Sequence, residues 1–70
     1  MSLFELYVRT EKEAESYRAH LRTIREGLEK DAVVRIVPET DLRLPAIRTS
    51  YNLYEGEISV AKLLTQIATD

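Results

Sequence analysis

Leu44-Pro45-Ala46-Ile47-Arg48-Thr49-Ser50-Tyr51-Asn52-Leu53-Tyr54-Glu55-Gly56 is the stretch on which the reading of this chain turns. Pro45 cannot donate to a β-ladder, but a proline is tolerated at the first position of a strand. Pro45 to Ser50 therefore reads as a strand. Tyr51-Asn52 sits at a turn, where Asn52 is suited to positive φ. Leu53-Tyr54-Glu55 returns as a second short strand and closes a hairpin, and Gly56 breaks it. Ser59 is then a candidate N-cap, with Ile58 before it and Leu63 at hydrophobic-staple spacing. Val60, Leu63, Leu64 and Ile67 make the apolar stripe of a closing helix.

Upstream of the hairpin, Ala32 to Val37 (AVVRIV) is the strongest strand signal in the chain. Pro38 ends it, and Glu39 to Leu44 is a polar loop too short for a stable helix. Before that strand, Ala14, Tyr17, Leu21, Ile24 and Leu28 recur at spacings of 3 and 4, the stripe of one amphipathic helix. Two heptads are too few for a coiled-coil seam. The helix is expected to start at Thr10, whose hydroxyl can accept from the Glu13 amide while Glu13 reaches back to the Thr10 amide. It is expected to end near Lys30-Asp31, with Gly27 in its last turn. Leu3 to Val8 (LFELYV) reads as the first strand, with Phe4, Leu6 and Val8 on one face. A strand, a helix of this length and a second strand make a parallel crossover. The predicted order is β-α-β-β-β-α: an α/β fold with a mixed four-stranded sheet and its helices on one face.

The whole chain of 70 residues reads as a single domain, 1–70, with no repeat or linker. A chain this short buries only about 60% of its unfolded surface, so a partner subunit would add useful stability. Hydrophobic residues at 44% are enough for a core. Ten Lys plus Arg against twelve Asp plus Glu leave a net charge of −2, which speaks against a dedicated nucleic-acid binder. Seven of the ten basic residues are Arg, which suits either a solvated surface or planar contacts at an interface. No membrane-spanning run and no signal peptide is visible, so a cytoplasmic protein is expected.

With no Cys and a single His, the chain has no thiol nucleophile, no redox pair and no Cys-based zinc site. His20 has no second His at helical spacing, so no metal is expected. Glu11, Glu13 and Glu15 are better explained as helix-start residues than as catalytic carboxylates. There is no phosphate-binding glycine motif and no Ser-His-acid arrangement. Neither an enzyme nor a cofactor is expected.

The C-terminal half, Leu44-Pro45-Ala46-Ile47, Tyr54-Glu55-Gly56 and Ser59-Val60-Ala61-Lys62-Leu63-Leu64, resembles the ending of glutaredoxin-type proteins of the thioredoxin-like superfamily. The resemblance implies a cis peptide bond at Pro45. It also implies a redox CxxC between first strand and first helix, where this chain has Arg9-Thr10-Glu11-Lys12-Glu13-Ala14. Leu6-Tyr7-Val8 and Ser16-Tyr17-Arg18-Ala19 are similar to the opening of the cysteine-free, thioredoxin-like clock proteins of the KaiB group. The family's helix between its second and third strands is replaced here by the loop from Pro38 to Leu44.

That replacement leaves one sheet face to account for. With Phe4, Leu6, Val8, Val34, Ile36 and Ile47 turned toward the helices, the other face carries Glu5, Tyr7, Val33, Arg35, Val37, Ala46 and Arg48. Such a mixture is what protein interfaces favour. The expected function is a non-catalytic, thioredoxin-like protein-interaction module, binding a second copy as a homodimer or another protein. The alternative is a small nucleic-acid or anion binder on a ferredoxin-like β-α-β-β-α unit, with Tyr7 stacking and Arg35 and Arg48 on phosphate. A simple solvated face is the third reading.

Overall fold

The computed structural model describes residues 4–69. The elements are β1 (Phe4–Val8), α1 (Glu11–Ile24), α2 (Leu28–Asp31), β2 (Ala32–Ile36), β3 (Ala46–Arg48), β4 (Leu53–Glu55) and α3 (Glu57–Thr69). The expected strand start at Leu3 lies outside the described residues. The four strands form one sheet in the order β2-β1-β3-β4. β1 and β2 are parallel, while β1–β3 and β3–β4 are antiparallel. The sheet is thus mixed and the class α/β. The two parallel strands are direct neighbours, so the βαβ unit is not split by a strand between them.

One sheet face is the core. Alternation along β1 buries Phe4, Leu6 and Val8 and leaves Glu5 and Tyr7 half-buried. Leu6 stands opposite Val34 on one side and Ile47 on the other, and Ile47 stands opposite Tyr54. Against this row pack Ala14 and Leu21 of α1, Leu28 of α2, and Val60 and Leu64 of α3. Tyr17, Ile24, Leu63 and Ile67 complete the packing. Both apolar stripes read from the sequence therefore face the sheet. Ile36 shares that parity but is 44% exposed. It is the last residue of an edge strand, with β1 on one side and no strand on the other.

Several local expectations are corrected. The first helix does not run to Asp31. Arg25 is extended (φ −159, ψ 134), its N–H still bonded to the Leu21 carbonyl, and Gly27 is left-handed (φ 83). The chain turns there and resumes as α2, which keeps Leu28 in the core. Within the Thr10 cap the Glu13 amide donates to Thr10 Oγ1 at 3.2 Å, as expected. The return bond differs: the Thr10 hydroxyl donates to the Glu13 carboxylate, also at 3.2 Å.

The last helix starts at Glu57, not after Ser59. Gly56 at φ 88 supplies the turn, and its carbonyl accepts the Val60 N–H at 3.0 Å. Ile58 is 74% exposed, so it forms no staple with Leu63. The hairpin connection is longer than two residues. The Thr49 N–H donates to the Asn52 carbonyl at 2.9 Å, and Thr49 Oγ1 accepts the Asn52 N–H at 3.1 Å. A threonine side chain, not a positive-φ asparagine, organises this turn. Among the described residues only glycines have positive φ.

The Leu44–Pro45 peptide bond is cis, and Pro45 is buried. The connection from Val37 to Pro45 contains bends and no helix. It is tied to the sheet where the Val37 N–H donates to the Val8 carbonyl at 2.8 Å. Arg9 Nη1 adds a bond to the Pro38 carbonyl at 3.1 Å.

Candidate functional site

The strand register orders the side chains of the second sheet face into two cross-strand rows. One row, from β2 to β4, is Val33, Glu5, Arg48 and Leu53. The next is Arg35, Tyr7, Ala46 and Glu55. No helix packs on this face, since the core against which α1, α2 and α3 pack is the other one. Of the residues assigned to it from the sequence, Glu5, Tyr7, Val33, Arg35 and Arg48 are brought together. Val37 follows the last residue of β2 and has no partner in these two rows, although its N–H still bonds the Val8 carbonyl.

Glu5 sits at the centre of the polar part. The Tyr7 hydroxyl donates to Glu5 Oε2. Arg35 Nε lies 3.5 Å from the same oxygen. The Tyr7 hydrogen bond holds the Glu5 carboxyl below the usual carboxylate range; burial opposes it as the next largest effect, and Arg35 and Arg48 add individually smaller downward pulls. The same hydrogen bond pushes the Tyr7 phenol up, because ionising it would cost the donor and place two negative charges together. One carboxylate between two guanidiniums and a phenol is a closed network. It fixes side-chain directions, and it already supplies both arginines with a negative neighbour.

Comparison with family models, curated proteins and solved structures gives no match for this chain.

Leu53 and Glu55 complete the two rows and were missed by sequence reading. The signal was present: Leu53 and Glu55 alternate with Tyr54, and Tyr54 faces the core. Glu55 Oε2 also accepts the Arg43 N–H at 3.2 Å, which ties the incoming loop to β4.

Pro45 lies elsewhere, on the wall of a groove of about 590 Å³. Glu13 of α1 and Arg43, Glu55 and Glu57 also line it. Here the first turn of α1 meets the loop before β3, the place where the resemblance would put a redox centre. Its titratable groups are carboxylates and one arginine, and the Ser59 hydroxyl also lines it. Tyr17 of α1 has its phenol pushed up, first by burial and then by the Glu57 and Glu13 carboxylates. His20 is exposed on α1, away from both places. Among the described residues no cluster of three or more His, Cys, Asp or Glu could hold a metal ion. Among them, too, no helix is long and apolar enough to cross a membrane.

Proposed function

We propose that this chain is a non-catalytic interaction module of thioredoxin-like architecture, without a redox centre, that self-associates through the open sheet face. The observation that carries this reading is the composition of the face. An aromatic residue, two aliphatic residues and pre-oriented charges share a surface no helix covers. The architecture is supported by the unsplit βαβ followed by an antiparallel hairpin and a helix. A ferredoxin-like unit is a split βαβ, with a strand inserted between its parallel pair.

The position of Glu5 speaks against the anion-binding alternative. A phosphate approaching Arg35 and Arg48 would meet the Glu5 carboxylate between them. Sedimentation velocity over micromolar concentrations tests the proposal. A concentration-dependent dimer supports it, and a monomer throughout rules self-association out. An oligonucleotide titration that tightens as salt is lowered, and that R35A and R48A abolish, would favour the alternative instead.

A further inference from the structure

The pattern of the two rows says how two copies would meet. We propose that the open face packs on the same face of a second copy about a two-fold axis parallel to the strands and midway between β1 and β3. This rests on the reading of the face as a self-association surface and specifies its geometry. Such an axis keeps each row at its own height along the strands and reverses its direction. β2 then faces β4 of the second copy, and β1 faces β3.

Three of the four facing pairs are complementary. Arg35 meets Glu55, and Glu5 meets Arg48, so each row supplies opposite charges to its own reversed copy. Val33 meets Leu53, which is 45% exposed in the single chain, so apolar surface is removed from water. Tyr7 comes over Ala46, which its own chain already covers completely, so this position contributes no pairing of its own. In an isologous interface each contact occurs twice, so the pattern supplies two Arg35–Glu55 and two Glu5–Arg48 pairs. The other face-to-face arrangement has its axis along the rows. It would bring Val33 onto Arg35, Glu5 onto Tyr7 and Leu53 onto Glu55, and it gains none of these pairs. Aligned packing of two twisted sheets is a standard sandwich geometry, with the layers about 10 Å apart.

The test uses the purified full chain and two charge reversals, R35E and E55R. Each alone sets two like-charge contacts into its own homodimer and is expected to weaken it at least about tenfold. An equimolar mixture restores opposite charges at both contacts, so the dimer is expected to return in sedimentation velocity. Changes confined to the single chain would not be cured by mixing. A wild-type dimer that both reversals leave intact, or that mixing fails to restore, overturns this axis and leaves self-association standing. A wild type that stays monomeric overturns the self-association reading and this geometry together. Should either reversal fail to fold, V33C and L53C serve, since the chain has no other cysteine. A short bismaleimide is expected to join V33C to L53C in a mixture and to join neither to itself. Efficient V33C–V33C crosslinking would overturn the proposal.

Discussion

The two faces of this sheet are built from the same four strands, yet they obey different rules. The covered face is held by volume: Leu6 and Ile47, neighbours across β1 and β3, have no exposure and fit between α1 and α3. The open face is held by pairing: Glu5, Tyr7 and Arg35 orient one another while remaining in reach of water. A change on the first face should therefore be felt by the whole fold, and a change on the second mainly by whatever approaches it.

The sharpest way to break the comparison is Leu6→Ala. It leaves a cavity at the centre of the packed face and should cost about 2–5 kcal/mol. A chain of this size has only about 4–10 kcal/mol in all, so a chemical denaturation midpoint should fall steeply or the fold should be lost. Next in size are the glycines that steer the chain at either end of the fold. Gly56→Ala forces φ 88 on an L-residue and brings its Cβ to 3.2 Å from Arg43 Cδ. It should cost about 1–2 kcal/mol. Gly27→Ala meets nothing within 4 Å at φ 83, so only the backbone strain remains and the loss should be the smaller of the two. If Gly27→Ala were the more damaging, the junction between α1 and α2 would have to carry packing that the structure does not show.

On the open face the effects should be electrostatic. The lowered Glu5 pKa makes its contribution present above the ordinary carboxylate range and lost as pH falls through its folded value. The raised Tyr7 pKa makes its contribution present below the ordinary phenol range and lost as pH rises through its own. Tyr7→Phe removes the cause common to both. An NMR titration should then find Glu5 shifted up toward its usual value. The loss of stability at high pH should shrink without vanishing, because Tyr17 also has a raised pKa. An unmoved Glu5 would mean that the arginines, not the phenol, set its charge. Smallest of all, Arg48→Ala should move the thermal midpoint by less than about 4 °C, since Arg48 is exposed.

What the sequence made legible follows the same division. The apolar periodicities placed both helices and three core residues of β1 on the right face, because burial leaves a mark every second or every third to fourth position. The break at Arg25 left no such mark. Leu28 stays in phase with the stripe, and one glycine inside a helix costs too little to announce a turn. The N-cap at Ser59 was misread because Ser59 and Ile58 fit a staple, while the decisive feature was the left-handed Gly56 ahead of them. On the open face, Tyr7, Arg35 and Arg48 followed from strand parity alone. Their meeting at Glu5, and the rows completed by Leu53 and Glu55, depended on register. Register is set by pairing between distant segments and by a turn of four residues that Thr49 organises.

β1 is the strand that joins everything, since β2 lies on one side of it and β3 on the other. Its first neighbour is reached by a helix and its second only after residue 45. During synthesis from the N-terminus, the parallel pair and α1 can assemble while the far edge of β1 is still bare. That edge then waits through the long connection for Ala46, Ile47 and Arg48 to emerge. Until residues 46–48 are free to pair, the growing chain would thus display an unsealed sheet edge, and their arrival would close it.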